Sequence, residues 1–159
     1  LERDGELFAG VVYEPISDQM FIAERGQGAY LNNNRIRVSA RRNLEDAIFA
    51  TGIPFAGREG HSIFLQQLKA IMPETSGIRR FGSAALDLAY VAAGRFEGFW
   101  ESGLQTWDIA AGIVLVREAG GFVSDLEGKN DMLKSGDIIA ANDQLHVELS
   151  RILKKVGKH

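Results

Sequence analysis

The chain has 159 residues, 45% of them hydrophobic and 25% charged, which is typical of a globular protein with a real core. Its formal net charge of −3 argues against a nucleic-acid or anionic-membrane surface, because such surfaces need an excess of cations. The chain has no cysteine and only three scattered histidines, which excludes disulfides and thiolate metal sites and disfavours zinc. No apolar run is long enough for a membrane span and no signal peptide opens the chain, so we predict a cytoplasmic protein.

The chain starts with Leu1, and "LERDGELFAGVVYEP" begins as though within a sheet. Asp4 and Gly5 form a turn signal directly before a strand, as at the second strand of a hairpin. The first strand of that hairpin is expected upstream of the given sequence. We therefore interpret the chain as a fragment of a longer protein, rather than as a short domain that has lost its Met.

The first quarter of the chain predicts an antiparallel meander without a helix. Strands are expected at residues 7–14 and 19–24, joined by the turn "PISD", and two shorter strands follow in "RGQGAYLNNNRIRVS". We interpret residues 1–42 as strands that remain from an N-terminal domain. Residues 43–159 are then predicted to form a C-terminal domain.

Strands alternate with helices in this second part. Strands are predicted at residues 47–52, 77–82 and 137–142 and within "RFEGFWE" and "FVSDLEG", and helices at residues 60–72 and 83–94, after Asp108, and at 143–156. This alternation predicts an α/β fold of the layered α+β sandwich type.

One segment raises a chemical question, "ESGLQTWDIAAGIVLVREAGG" at residues 101–121. A helix that is apolar all round is buried on every side, and Gly112 would let a neighbour approach it closely. Asp108 is expected to cap this helix by accepting from the N–H of Ala110 or Ala111. A helix N-terminus also stabilises an anion, and a carboxylate there can hold Mg²⁺ as well. The residues alone leave both roles open.

Several motifs resemble one family. "WDIAAGIVLVREAGG" closely resembles the second signature of the inositol monophosphatase family, and "RRFGSAALDLAYVAAGRFEGFWE" resembles the segment before it. "GVVYEPISDQMFIAERGQGAYLNNNRIRVS" looks like the earlier hairpins, so the resemblance covers essentially the whole chain. The nearest type is the bacterial inositol-1-monophosphatase, including the extragenic suppressor type. The resemblance implies the C-terminal α/β domain of that fold, with antiparallel strands left from its N-terminal domain.

The resemblance also implies roles for five residues. Asp108 matches the catalytic Asp that ligates Mg²⁺ and contacts the inositol ring, and Glu101 matches a Glu that accepts from ring hydroxyls. Gly82, Ser83 and Ala84 match a turn that contacts the substrate ring. Vicinal hydroxyls need acceptors, and a ring close to the backbone needs small residues. As alternatives, Ser83 could only cap the next helix and Glu101 could be a solvated charge.

The activity that the resemblance implies is Mg²⁺-dependent hydrolysis of a phosphate monoester, inositol 1-phosphate to inositol and phosphate. Most metal ligands of the family lie in an Asp-Pro-Ile/Leu-Asp-Gly-Thr motif, and this chain contains no Asp-Pro-x-Asp-Gly. One carboxylate holds Mg²⁺ weakly, and the acids of "SDLEGKND" are interpreted as a solvated loop. The parent protein is therefore predicted to be a Mg²⁺-dependent phosphatase, and this chain alone is expected to be inactive.

Other functions and partners stay open at this point. The substrate is expected to be a small phosphorylated polyol, and related sugar or nucleotide phosphatase activity is an alternative. A second alternative is a non-catalytic partner of the transcription antitermination machinery, and a third is a degenerate homologue. A homodimer is expected. The sheet edge of residues 7–39 should be covered by a missing N-terminal half or by a second copy.

Overall fold

The computed structural model describes residues 1–156 and begins with short antiparallel strands. The strands of this part are β1 (Glu2–Arg3), β2 (Glu6–Leu7), β3 (Ala9–Glu14), β4 (Gln19–Glu24), β5 (Gly28–Leu31) and β6 (Asn34–Ile36). β3 to β6 form a four-stranded sheet in sequence order. The predicted meander is confirmed.

The turns of this meander follow from their residues. Asn32 and Asn33 have φ angles of 44° and 67°, and Asn tolerates this left-handed conformation better than most residues. One prediction is wrong. Residues Glu2 and Arg3 already pair with Glu6–Leu7 across the Asp4-Gly5 turn, so that hairpin has its first strand within the chain.

The second part alternates strands and helices, which confirms the predicted α/β class. Its elements are β7 (Ile48–Thr51), α1 (His61–Ile71), β8 (Gly77–Arg79), α2 (Ala84–Ala92), β9 (Gly98–Glu101), α3 (Thr106–Glu118), β10 (Phe122–Ser124), α4 (Met132–Ser135), β11 (Ile138–Ala141) and α5 (Asp143–Val156). Single turns of 3₁₀ helix lie at Leu44–Asp46 and Met72–Glu74.

A mixed five-stranded sheet forms the second sheet, in the order β10-β11-β9-β7-β8. β7 runs parallel to both β8 and β9, whereas β11 is antiparallel to its two neighbours. The carboxyl ends of β7, β8 and β9 therefore meet at one edge of the sheet. In open α/β sheets such an edge is the usual place for a ligand.

Helices α2 and α3 fill the layer between the two sheets. The helix α3 was predicted to be buried on all sides, and Ile109, Ile113 and Leu115 have no exposed surface. A Cβ added to Gly112 would lie 2.5 Å from Cβ of Leu88 on α2, which confirms the close approach at this glycine. The tight packing of the two helices positions the first turn of each beside the same sheet edge.

Helices α1 and α5 pack together on the far side of the five-stranded sheet. Their apolar residues and the sheet form a second core around the buried side chains Phe49, Ile71, Trp100, Leu145 and Leu149. The order of layers is thus sheet, helix pair, sheet and helix pair.

The loop after β10 differs from its prediction as a solvated loop. Asp125 is only 5% exposed, because its Oδ1 accepts a hydrogen bond of 2.7 Å from the Lys129 N–H and so closes a tight turn. Glu127 and Asp131 are exposed as predicted. None of the helices within residues 1–156 combines the length and the apolar character that crossing a membrane requires.

Candidate functional site

All five residues predicted for the site line one cavity. It has a volume of about 330 Å³ and includes Gly82, Ser83, Ala84, Glu101 and Asp108 in its wall. These residues come from the start of α2, the end of β9 and the start of α3. The cavity therefore lies at the edge where the carboxyl ends of the three parallel strands meet.

Glu101 reaches this cavity because it is the last residue of β9. Gly52 directly follows β7, and a Cβ at that position would overlap the carboxyl group of Glu101. A glycine is therefore required there for the Glu101 side chain to hold its present conformation. Only 15% of that side chain is exposed, so Glu101 is not a solvated charge.

Asp108 occupies a different helix position from the predicted one. The helix α3 begins at Thr106 and its N-cap is Gln105, so Asp108 is the third helical residue. Its Oδ2 accepts a hydrogen bond of 2.9 Å from the Gln105 N–H, which is the carboxylate half of a capping box. The predicted bonds from Ala110 or Ala111 are wrong, because the extended backbone of Gln105 starts the helix one turn earlier. Within the described residues, Oδ1 of Asp108 accepts no hydrogen bond.

The turn before α2 has the conformation that a small-residue turn requires. Gly82 has a φ of +91°, which favours glycine. Ser83 is the N-cap, and its Oγ accepts from the Leu86 N–H at 3.5 Å. The capping role of Ser83 is confirmed, and the contact of this turn with a substrate ring stays a prediction.

Two guanidinium groups share the cavity with the two carboxylates. Arg58 lies with one nitrogen 3.8 Å from Oε1 of Glu101, and another donates a 2.6 Å hydrogen bond to the Gly103 carbonyl. Burial raises the pKa of Glu101, and Asp108 raises it further, whereas Arg58 and Arg80 oppose this rise. The site can therefore accept hydrogen bonds from hydroxyls at Glu101 and attract an anion to the guanidinium groups.

Asp87 is a buried carboxyl group that the sequence analysis did not identify. It lies on α2 with 1% of its surface exposed, and its Oδ1 has no hydrogen bond partner within the described residues. Burial, followed by the nearby charge of Glu101, raises the pKa of Asp87 to about 7, and Arg80 partly opposes that rise. The Asp87 carboxyl group is therefore buried behind the wall of the cavity, where the charges of Glu101 and Arg80 act on it.

Some of these residues had a signal in the sequence and others had none. Gly52 and Arg80 lie in the last part of the predicted strands 47–52 and 77–82, so they could have been placed at the sheet edge once those strands were recognised as parallel. Arg58 belongs to an irregular loop, and its approach to Glu101 depends on the path of that loop. Asp87 stands in an otherwise apolar helix, an unusual position for an unpaired acid.

The donors of this chain do not form a complete Mg²⁺ site. Within residues 1–156, no group of three or more acidic or histidine side chains is arranged to hold a metal ion. Mg²⁺ prefers several fixed oxygen ligands in octahedral geometry, and Asp108 offers one carboxylate. The arrangement offers carboxylate acceptors and guanidinium donors in one cavity.

The layered α/β fold places a cavity lined by two carboxylates and two guanidinium groups at one edge of its sheet, and the comparison with protein families shows which family has this fold. The chain belongs to the inositol monophosphatase family, whose family model matches residues 1–158.

Individual relatives are similar over nearly all of the chain. It is 53% identical over 155 residues to the inositol-1-monophosphatase of Mesorhizobium japonicum, covering 98% of this chain and 58% of that protein. It is 49% identical to the Nus factor SuhB of Pseudomonas aeruginosa, covering 87% of this chain and 52% of that protein. The crystal structure of the extragenic suppressor protein suhB from Bartonella henselae superposes with a TM-score of 0.94 at 58% identity, covering 97% of this chain and 59% of that one. The chain thus spans little more than half the length of these relatives.

Proposed function

We propose that this chain forms the substrate-alcohol side of a Mg²⁺-dependent phosphomonoesterase that hydrolyses inositol 1-phosphate to inositol and phosphate. The observation that carries the proposal is the convergence of Gly82, Ser83, Ala84, Glu101 and Asp108 on one cavity. These residues lie between residues 82 and 108 and come from the start of α2, the end of β9 and the start of α3. The family membership, shown over residues 1–158, supports a phosphatase in general terms.

Each residue has a role in this proposal that its geometry supports. Glu101 accepts hydrogen bonds from ring hydroxyls, since its largely buried carboxyl group stands at the end of β9 and lines the cavity. The turn Gly82–Ala84 lets the ring approach the backbone. Asp108 supplies one catalytic oxygen ligand for Mg²⁺ and contacts the ring, while its Oδ2 remains held by Gln105.

The proposal requires further Mg²⁺ ligands from outside this chain, because its own acids do not complete a metal site. The 159-residue chain alone is therefore expected to release no phosphate from inositol 1-phosphate. We also propose that the boundary between two domains falls between residues 42 and 43, in the segment that links β6 to the 3₁₀ turn at Leu44–Asp46.

A chimera tests the catalytic role. The part of the Mesorhizobium japonicum relative that this chain does not match would be joined in front of residues 1–159. We expect Mg²⁺-dependent phosphate release from inositol 1-phosphate by the chimera, and its loss on Asp108→Asn. The matched control is Asp131→Asn, an exposed acid outside the cavity.

Two results would contradict the proposal. Full activity of the Asp108→Asn chimera would show that Asp108 has no catalytic role, provided that the Asp131→Asn control is equally active. Mg²⁺-dependent activity of the chain alone would show that it holds a complete metal site. Initial rates of the chimera on fructose 1,6-bisphosphate and a nucleoside 3′-phosphate would test the related phosphatase activities.

We also propose that the protein is cytoplasmic and that it has a partner at its outer sheet. We propose that the outer four-stranded sheet is covered, in a homodimer or by an N-terminal segment of the longer protein. Exposed apolar side chains on that sheet support this, with 57% of Val11 and 49% of Tyr13 accessible. Size-exclusion chromatography with light scattering measures the state, and a stable monomer of 17.4 kDa would contradict the proposal for this chain.

A second candidate function is non-catalytic association with the transcription antitermination machinery. It is favoured by the name of the Pseudomonas aeruginosa relative, a Nus factor. A pull-down with RNA polymerase and Nus factors would test it. If the pull-down retains both the parent chain and Asp108→Asn, the binding is separate from catalysis. If it retains neither, the second candidate function is rejected.

A further inference from the structure

The cavity of the candidate site has apolar side chains in its wall as well as charged ones. Its charged side chains are Arg58, Arg80, Glu101 and Asp108. Its large apolar side chains are Ile53, Phe55, Leu104 and Trp107. A ligand that matches this cavity therefore needs groups that form hydrogen bonds and also an apolar surface.

Two aromatic residues of this wall are largely exposed to solvent. Trp107, directly before Asp108, is 76% exposed, and Phe55, from the loop after β7, is 60% exposed. Tryptophan is highly buried on average, and exposed apolar surface with polar neighbours often marks a ligand site. Neither residue belongs to the two hydrophobic cores. Packing within the described residues therefore does not account for the place of these two rings.

The two rings are held in different ways. The guanidinium group of Arg58 lies 5.1 Å from the centroid of the Phe55 ring, so Phe55 has a neighbour within its own loop. Trp107 is the second residue of α3, a helix whose start is fixed by the capping box between Gln105 and Asp108. A residue on a well-defined helix is positioned more precisely than one on a loop. Trp107 is therefore the better candidate for a fixed apolar platform beside Asp108.

A cyclic polyol has the two kinds of surface that this cavity requires. The hydroxyl groups on the edge of its ring can donate hydrogen bonds to carboxylates such as Glu101. The C–H groups on the two faces of the ring form an apolar surface that matches an aromatic ring. An open-chain polyol has no rigid C–H face, and holding its flexible chain in one conformation costs additional entropy.

We propose that Trp107 packs against the C–H face of a cyclic polyol while Glu101 accepts hydrogen bonds from its hydroxyl groups, and that Trp107 thereby selects ring-shaped over open-chain polyol phosphates. The inference rests on the proposed function, because it concerns the alcohol side of the same substrate. It adds a contact residue and a basis for selectivity to the five residues given roles above.

The contact can be tested on the chain itself, without Mg²⁺ or phosphate. The probes are myo-inositol and sorbitol, which have equal numbers of carbon atoms and hydroxyl groups, although only myo-inositol is a ring. Titrations followed by saturation-transfer difference NMR give a dissociation constant for each probe. We expect myo-inositol to bind about tenfold more tightly than sorbitol, with the strongest saturation at the C–H protons of one ring face.

Variants of the exposed rings identify Trp107 as the contact. Trp107→Ala should weaken the binding of myo-inositol about tenfold and reduce its preference over sorbitol to about twofold. Trp107→Phe keeps an aromatic face and should bind within about threefold of the parent chain. The matched control is Phe122→Ala, which removes an exposed aromatic ring from β10, outside this cavity wall, and should bind as the parent chain does. Trp107→Gln serves if Trp107→Ala does not fold.

Three results would overturn the inference. The first is an absence of saturation transfer from the parent chain to myo-inositol, and the second is equal affinity of the parent chain for the two probes. The third is unchanged binding of myo-inositol by folded Trp107→Ala or Trp107→Gln. Each of these leaves the chimera to decide the catalytic proposal. An inactive chimera together with binding of myo-inositol that depends on Trp107 would reject the phosphatase and keep the ring contact.

Discussion

Replacement of Asp87 by Asn should change how the stability of this chain depends on pH. Burial and Glu101 raise the pKa of Asp87 from 3.8 to about 7. Between those values the folded state keeps a proton that the unfolded state releases. The free energy of unfolding therefore falls as the pH rises through this window, and Asp87 makes no further contribution to the slope above pH 7.

The magnitude follows from the size of the pKa change. A difference of one in pKa corresponds to about 1.4 kcal/mol, so the rise at Asp87 corresponds to about 4 kcal/mol lost between roughly pH 4 and pH 7. That is a large share of the roughly 5–15 kcal/mol that stabilises a typical domain. An amide cannot ionise, so Asp87→Asn should remove this slope and become more stable than the parent chain near pH 8.

Urea denaturation between pH 4.5 and pH 8, followed by circular dichroism, would measure the effect. The matched control is Asp4→Asn on the exposed turn between β1 and β2, which should keep the parent profile. Parallel profiles of the parent and Asp87→Asn would refute the reasoning. If Asp4→Asn also lost the slope of the free energy of unfolding against pH, the cause would be the net charge of the chain and not the buried carboxyl group.

Three further predictions concern packing, capping and a buried histidine. Gly112→Ala should lower the free energy of unfolding by about 1–3 kcal/mol in urea, because the new methyl group meets Leu88 at 2.5 Å. Ser83→Ala should cost about 0.5–1 kcal/mol, the low end for a helix cap, since the bond to the helix N–H is 3.5 Å long. Burial and then Lys154 lower the pKa of His146, so stability should fall as the pH drops below about 6.5, where the unfolded state takes up the proton. His146→Gln should lose that acid sensitivity.

Each of these has a control within the chain. Leu88→Ala should recover part of the stability lost by Gly112→Ala, and strict additivity of the two changes would contradict the contact. Ser83→Asn retains a capping side chain, so equal losses for Asn and Ala would remove the cap as the cause. Identical acid profiles of His146→Gln and the parent chain would show that this histidine is not responsible.

The sequence was sufficient where local patterns carry the information. The apolar surface of α3 on every side predicted its burial, and Gly112 predicted a close neighbour, because both properties depend on residues within a few turns of each other. Ser83 was predicted correctly as a cap, since capping needs only three residues of context. The left-handed turn at Asn32 followed from residue type in the same way.

The start of α3 shows where local reasoning failed. Asp108 is a good capping residue and was placed at the N-cap, but the helix begins at Thr106 and the acid serves from its third position. Gln105 is a weaker N-cap by residue type, so a preference scale selects the wrong residue. The buried state of Asp125 was missed for a related reason, because an acid in a Gly-rich loop has no local sign of burial.

Taken by itself, the sequence determined the succession of strands and helices apart from β1 and the short helix α4, the burial of the central helix and, through its motifs, the family and the five residues of the candidate site. Only the tertiary structure decided that β7, β8 and β9 are parallel and so bring their carboxyl ends to one edge. It alone placed Arg58 against Glu101, buried Asp87 behind the site and left the Trp100 indole buried with no hydrogen bond acceptor among the described residues. The physical reason is that hydrophobic periodicity and capping act over a few residues, whereas burial and electrostatic contact depend on segments brought together from across the chain.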